Sequence, residues 1–134
     1  MATKTRFINP DTLIKPPTYS QVVEVTGPVR MVFIAGQVAV GRDGKVVGVG
    51  DFRAQAVQVF ENLKAALAAV GASFQHVVKI NNYLVDVAHQ PILHEVRKNY
   101  LNMTAPPAST TVQVVRLVRA EVLLEIEAVA VLPE

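Results

Sequence analysis

The segment from Asp51 to Val70 constrains the fold more than any other part of the chain. Asp51 is suited to cap the amino end of a helix, and Gly71 is suited to end it. Between them the apolar residues recur at three- and four-residue spacing, which places them on one helical face. They are Phe52, Ala56, Val59, Phe60, Leu63, Leu67 and Val70. The sequence therefore predicts a helix covered on one side by another layer of structure.

The segments on either side of this helix predict strands and a second helix. Val23 and Val25 alternate with a polar residue, and Lys45 to Val49 predicts a short strand after a turn. Residues 31–40 are apolar without alternation, which predicts a strand buried on both faces. Val77 to Val85 is rich in β-branched residues and predicts a further strand, and Pro91 to Leu101 predicts the second helix.

Two more strands are predicted near the carboxyl end. Thr110 to Leu117 and Glu121 to Leu132 are interpreted as the two paired strands of a hairpin joined at residues 118–120. In the second of them the apolar residues alternate with three glutamates, Glu121, Glu125 and Glu127. The order of elements predicts a single α+β domain over residues 1–134, with a mainly antiparallel sheet and helices packed on one side.

The composition is apolar for a chain of this length. Of 134 residues 51% are hydrophobic and 18% are charged. A small domain has more surface than core to fill, so this excess favours apolar surface hidden between subunits over an unusually rich core. We expect the chain to associate with copies of itself.

Several classes of function are disfavoured. The chain has no cysteine, which excludes disulfides, thiolate nucleophiles and cysteine-bound metals. The net charge is +2, the positive residues are scattered along the chain, and aromatic residues make up 6%. This pattern disfavours nucleic-acid binding. No segment predicts a membrane span or a signal peptide, so a cytoplasmic location is expected.

No metal or cofactor site is predicted either. The segment that begins at Gly48 resembles a dinucleotide-binding fingerprint, but Arg53 stands at the position of its third glycine. His89 and His94 are five residues apart, which places them off a common helical face. A turn that leads into a helix and ordinary surface histidines are the better interpretations.

The glutamates of the last strand are the strongest candidates for chemistry. Glu125 and Glu127 are two residues apart and point to the same face, and Glu125 is surrounded in sequence by branched apolar residues. A carboxylate in that setting can hold or activate a water molecule. The alternative is a solvated sheet face on which the glutamates pair with Arg116 or Arg119.

Short motifs along nearly the whole chain resemble the RidA (YjgF/YER057c/UK114) family. No single motif is decisive, but their order and spacing together are specific. They are Tyr19-Ser20-Gln21, Ala35-Gly36-Gln37, Phe52 with Gln55, Glu61-Asn62-Leu63, Val77-Val78-Lys79, Asp86, Pro107-Ala108, Val112 with Val114, Arg116 and Leu117, and Glu125-Ile126-Glu127-Ala128.

The resemblance implies a chorismate-mutase-like α+β fold, a homotrimer and a small-molecule cleft between neighbouring subunits. The best-known activity of the family is hydrolysis of reactive enamines and imines such as 2-aminoacrylate to keto acids and ammonia. An arginine grips the substrate carboxylate with two parallel hydrogen bonds. A water, positioned partly by a glutamate, attacks the imine carbon. The resemblance implies no cofactor.

The family's site residues carry over only in part. Glu125 matches the glutamate linked to the water, so it is the candidate catalytic residue. Tyr19 and Gly36 match residues that line the cleft, and Thr111 is predicted to line it as well. Family deaminases have Pro-Ala-Arg where this chain has Pro107-Ala108-Ser109, so Ser109 replaces the carboxylate-binding arginine. Ala35 stands where many members have Ser or Thr.

Three functions remain open from the sequence. The first is a hydrolase or deaminase of the family type that acts on an enamine or imine other than 2-aminoacrylate. The second is a non-catalytic trimer that binds a metabolite or a partner protein. The third, disfavoured by the scattered charge, is the endoribonuclease activity reported for some relatives. The sequence does not name the substrate or what replaces the missing arginine.

Overall fold

A computed structural model describes residues 2–134, which form six strands and two α-helices, with short 3₁₀ turns at Phe74–His76 and Val87–His89. In chain order these are β1 (Lys4–Ile8), β2 (Val22–Thr26), β3 (Val29–Gln37), α1 (Phe52–Ala68), β4 (Val77–Leu84), α2 (Gln90–Arg97), β5 (Ala108–Gln113) and β6 (Leu124–Pro133).

Strand β6 is at the centre of the main sheet, whose order is β3-β6-β4-β5. It runs antiparallel to both β3 and β4, whereas β4 and β5 are parallel. Strands β1 and β2 form a separate antiparallel pair. This is the α+β fold with a mixed sheet and two helices that the sequence predicted.

Helix α1 begins and ends where its sequence predicts. The Asp51 carboxylate accepts a hydrogen bond from the Ala54 amide at 3.1 Å, and Gly71 has a φ of +74° in the turn that ends the helix. The helix buries its apolar stripe against one face of the main sheet. The buried residues of β6 opposite it are Leu124, Ile126, Ala128, Ala130 and Leu132.

Helix α2 packs beside α1 and is shorter than the predicted segment. After Arg97 the chain continues in a turn, and the ring of Tyr100 stacks on Phe60 with centroids 5.0 Å apart. At the other end of α2, His89 stacks on Phe52 at 4.4 Å. These two aromatic contacts hold α2 against α1 and so determine where the last residue of α2 lies.

The predicted pairing of the last two strands is wrong. Strands β5 and β6 are not neighbours, because β4 lies between them. Strand β5 ends at Gln113, and residues 114–123 form a connection that carries β6 across to its place beside β3 and β4. In this position β6 gains ladder hydrogen bonds on both edges, from β3 and from β4.

Two other strand predictions are corrected, and one strand was missed. Residues 31–40 are not buried on both faces, since β3 exposes Met31 by 58% and Phe33 by 74% in the single chain. Residues 45–49 form only an isolated bridge between Val46 and Val40. Strand β1 was not predicted, because its sequence KTRFI has little apolar alternation and it pairs only with β2.

The side chain of Gln55 joins three distant segments. Its amide nitrogen donates to the carbonyls of Gly48 at 3.1 Å and Glu121 at 2.9 Å, and its oxygen accepts from the Leu123 amide at 2.8 Å. Gln55 itself is fully buried in helix α1. It therefore anchors the connection that brings β6 into the sheet.

We expect Gln55→Leu to lower the free energy of unfolding by about 1–3 kcal/mol, because it removes the partner of buried backbone groups while keeping the side-chain volume. Urea denaturation followed by circular dichroism measures the change. Gln75→Leu is the matched control, since Gln75 is exposed and should alter stability little. Equal effects of the two substitutions would contradict the anchoring role of Gln55.

Candidate functional site

Glu125 lies against Gly36 on the face of the main sheet that is turned away from the helices, called here the open face. Strand β3 has a bulge between Ile34 and Gln37, so its backbone at Gly36 approaches β6 closely. A Cβ at Gly36 would collide with the Glu125 carboxylate. Within residues 2–134 this carboxylate takes part in no hydrogen bond or ion pair. Only glycine leaves it room.

Glu127, by contrast, is engaged with neighbouring side chains on the same face. It accepts hydrogen bonds from the Tyr83 hydroxyl at 2.6 Å and from the Asn81 amide at 3.1 Å. The bond to Glu127, together with burial, raises the pKa of the Tyr83 hydroxyl. Glu127 also lines a cavity of about 360 Å³ with Ala35 and Lys79. Of the two carboxylates, Glu125 is the one free to hold a water molecule.

Arg116 and Arg119 do not neutralise these glutamates. The Arg119 guanidinium donates to the Gly44 carbonyl at 2.6 Å, and Arg116 donates to the Leu117 carbonyl at 3.2 Å. The predicted alternative, in which the glutamates pair with Arg116 or Arg119, is therefore wrong.

Ser109 and Thr111 lie on the opposite face of the sheet from Glu125, under helix α2. Both belong to the edge strand β5, and both accept a hydrogen bond from the amide of the buried Asn82, at 3.0 and 3.2 Å. In the parallel register Asn82 of β4 pairs with Thr111. The amide of Asn82 thus holds both hydroxyl oxygens on the helix side.

Tyr19 reaches the same region because its neighbour is tied down. The Ser20 hydroxyl, 2% exposed, donates to the Pro106 carbonyl at 2.6 Å, and the Ser20 amide donates to the Pro107 carbonyl at 3.2 Å. These bonds join the loop before β2 to the loop before β5. Tyr19 therefore lies beside Ser109 although the two are far apart in sequence.

A cavity of about 190 Å³ lies between β5, α2 and the loop that carries Tyr19. We call it the Arg97 cavity, after the only formally charged group in its wall within the described chain. Its walls include Tyr19, Gln90, His94, Arg97, Ser109 and Thr111. Three of the residues predicted from the sequence therefore meet here.

Arg97 is the residue that the sequence reasoning missed. It is 2% exposed, and its Nε and Nη2 have no hydrogen-bond partner within residues 2–134. Burial lowers the pKa of its guanidinium to about 10. The signal was present in the sequence, since Arg97 follows Leu93 by four residues and so falls on the buried stripe of α2.

The predicted site residues thus form two groups in a single chain. Gly36 and Glu125 lie on the open face with Ala35 nearby, whereas Tyr19, Ser109 and Thr111 surround the Arg97 cavity on the helix side. The sheet lies between the two groups. Their assignment as one ligand site stays a prediction that requires more than one subunit.

The part of the chain that the structure describes contains no cluster of three potential metal-ligating side chains. None of its helices combines the length and the apolar character needed to cross a bilayer.

Comparison with known proteins identifies the family. The family profile described as "Endoribonuclease L-PSP" matches residues 13–132. Protein DfrA of Myxococcus xanthus is 42% identical over 113 residues, which cover 84% of this chain and 84% of that protein. The conserved Rid-family protein YyfB of Yersinia pestis superimposes with a TM-score of 0.83 at 34% identity, covering 96% of this chain and 98% of that one. The chain belongs to the RidA (YjgF/YER057c/UK114) family.

A protein named as an imine deaminase is also similar to this RidA-family chain. It is the 2-iminobutanoate/2-iminopropanoate deaminase of Dermatophagoides farinae, 32% identical over 92 residues, which cover 69% of this chain and 70% of that protein. The family resemblance implies an arginine at the position of Ser109 in the deaminases, and in this structure Arg97 and Ser109 line the same cavity.

His94, in the wall of the Arg97 cavity, makes the free energy of unfolding of the protein depend on pH. Burial, followed by the charges of Arg97 and Lys98, lowers the pKa of its imidazole. The unfolded chain therefore takes up a proton at higher pH than the folded chain, and stability falls as the pH drops through about 6.5.

We expect His94→Gln to reduce the loss of unfolding free energy between about pH 7.5 and about pH 5.5. Urea denaturation at the two pH values, compared between the variant and the unchanged protein, measures this difference. An identical pH dependence in both proteins would show that His94 does not titrate within the cavity.

Proposed function

We propose that this protein is a homotrimeric hydrolase of an enamine or imine metabolite other than 2-aminoacrylate. The observation that carries the proposal is the Glu125 carboxylate, which lies against Gly36 and has no protein partner among residues 2–134. A buried or half-buried carboxylate with no partner is suited to hold a water. The enzymatic name of the relative from Dermatophagoides farinae supports the same chemistry.

The reaction would use Glu125 to move a proton. Glu125 accepts a proton from the water as the water oxygen bonds to the imine carbon, and the C=N bond becomes a single bond. Glu125 then returns this proton to the nitrogen, which gives a carbinolamine. The hydroxyl proton of the carbinolamine passes to the amino group, so that the C–N bond breaks and ammonia leaves as the carbonyl forms. An enamine must first gain a proton on carbon and lose one from nitrogen to give the imine. Water and substrate are the only reactants, so no cofactor is needed.

The trimer is proposed from the open face. Met31 and Phe33 are more than half exposed there, and the glutamates are beside them on the same surface. A second copy of the chain would cover these side chains and account for the apolar composition. It would also bring the group at Glu125 near the Tyr19 and Ser109 group of a neighbour, which is the cleft that the family resemblance implies.

The second candidate is a non-catalytic trimer that binds a metabolite. Ser109 in place of the arginine, and Ala35 in place of Ser or Thr, favour it, because both changes remove polar groups that would orient a small imine. The endoribonuclease named in the family description is a third activity, which the scattered positive charge does not support.

Sedimentation equilibrium at micromolar concentration should give a mass three times that of the 14.5 kDa chain. The exposed apolar side chains of β3 are the physical reason. Phe33→Glu should weaken the assembly, because it would place a charge in the covered surface, whereas Val115→Glu, at a fully exposed connection residue, should not. A single species of one chain mass would rule out the trimer.

Hydrolysis of 2-aminoacrylate should be weak, and hydrolysis of a larger imine should be faster. Loss of a bidentate, charge-assisted contact removes about 1.5–3 kcal/mol of binding, or roughly a tenfold to hundredfold loss in affinity. The measurement generates 2-aminoacrylate, 2-iminobutyrate and a panel of longer and cyclic imines in situ and follows their decay with and without protein.

Glu125→Gln should lower the accelerated rate by roughly 10²–10⁴-fold, the usual contribution of a general base. Glu127→Gln is the matched control, since Glu127 is on the same strand face but is held by Tyr83 and Asn81, and it should cost less than about tenfold. If no imine decays faster with the protein, the binding protein becomes the better description.

A further inference from the structure

We infer that Arg97 binds the carboxylate of this protein's ligand, and does so from helix α2 in place of the arginine that family deaminases carry at the position of Ser109. The inference rests on the proposed function in that it concerns the ligand of the same cleft. It defines that ligand as an anion, an imine or keto metabolite that bears a carboxylate.

The unmet hydrogen bonds of Arg97 are the first argument. A guanidinium that is 2% exposed normally has a carboxylate or several carbonyls around it, since an unpaired buried charge is costly. Here Nε and Nη2 have no partner within residues 2–134, and no acidic residue lines the Arg97 cavity. The cavity therefore has a positive group and no anion to match it.

The identity of the two nitrogens favours a carboxylate. Nε and one terminal nitrogen form the side of a guanidinium that donates two parallel hydrogen bonds, and the spacing of those donors matches the two oxygens of a carboxylate. Within residues 2–134 Arg97 lacks partners at both Nε and Nη2, and both nitrogens are closed off from solvent in the single chain. A carboxylate reaches them once the side chain turns its Nε edge into the cavity, and it then satisfies both nitrogens at once.

The hydroxyls of the cavity provide further donors. The Ser109 and Thr111 oxygens each accept a hydrogen bond from the Asn82 amide, so each hydroxyl proton remains available to donate. Tyr19 and Gln90 line the same cavity and bring an O–H and an amide N–H group. Several hydrogen-bond donors beside one guanidinium form an environment that can bind an anion.

The guanidinium of Arg97 comes from helix α2 and not from strand β5, and this difference affects which substrate fits. An arginine at Ser109 would extend from the edge strand, whereas Arg97 extends from the helix layer that covers that strand. The carboxylate is then held in a different place relative to the reacting carbon than in the family deaminases. We expect a ligand whose separation between carboxylate and imine or keto carbon differs from that of a 2-imino acid, as it does in 4-oxopentanoate.

Binding of keto acids by the intact protein tests the inference without any turnover. The probes are 4-oxopentanoate, its uncharged methyl ester, 2-oxobutyrate and inorganic phosphate, each titrated and followed by ligand-observed NMR. We expect 4-oxopentanoate to bind saturably and the ester to bind at least roughly tenfold more weakly. Phosphate binding as tight as that of 4-oxopentanoate would overturn the assignment to a carboxylate.

Arg97→Met should weaken 4-oxopentanoate binding by roughly tenfold to hundredfold. The matched control is Arg53→Met, which removes an exposed guanidinium that pairs with Glu95 and should leave the affinity unchanged. If Arg97→Met does not fold, Arg97→Lys keeps the charge but loses the two-nitrogen edge, and it should still weaken binding about tenfold. Unchanged affinity in either folded Arg97 variant would overturn the inference.

A double variant locates the anion site further. Arg97→Met combined with Ser109→Arg moves the guanidinium from the helix to the strand, and it should restore carboxylate binding with a preference for 2-oxobutyrate over 4-oxopentanoate. A double variant that folds and prefers the longer acid would contradict the substrate length inferred here.

The outcomes separate this inference from the proposed hydrolysis. If the protein binds 4-oxopentanoate through Arg97 but accelerates the decay of no imine, the anion site is supported and the proposed hydrolysis is contradicted. If Arg97→Met hydrolyses imines with the same Michaelis constant as the unchanged protein, the proposed hydrolysis is supported and the anion site is contradicted.

Discussion

The packing of strand β6 beneath helix α1 is the contact on which the rest of the structure depends. The core-facing side chains of β6 alternate with its glutamates, so burying one row under α1 forces the other row onto the open face. A register shift of one residue would bury Glu125 and Glu127 and expose Leu124 and Ile126. The cost of burying two carboxylates therefore fixes the register, and the register determines where the candidate catalytic group lies.

Two buried polar side chains have contrasting surroundings. Gln55 is fully satisfied by three backbone groups, so it joins the connection before β6 to helix α1 and contributes to the fold. Arg97 is buried to nearly the same extent and has no partner on two of its nitrogens within residues 2–134. The Gln55 amide therefore stabilises the chain itself, whereas the unmet hydrogen bonds of Arg97 are the basis for the ligand inferred above.

The main sheet separates the two halves of the candidate site. Glu125 is on the open face and the Arg97 cavity is on the helix face, so the described part of a single chain has an unpaired carboxylate on one side and an unpaired guanidinium on the other. This arrangement explains how a fold of this size keeps both groups uncompensated, because the layer between them prevents their pairing. Assembly of several copies is the proposed route by which the two act on one ligand.

The sequence by itself determined helix α1, the alternation of β6 and the family, because periodicity and motif order are local properties of the chain. It also predicted Tyr19, Ser109 and Thr111, which meet at one cavity. Only the tertiary structure decided that β4 separates β5 from β6, since strand order depends on long-range pairing. It alone placed Arg97 beside Ser109, because aromatic contacts with α1 and the tie at Ser20 bring distant segments together.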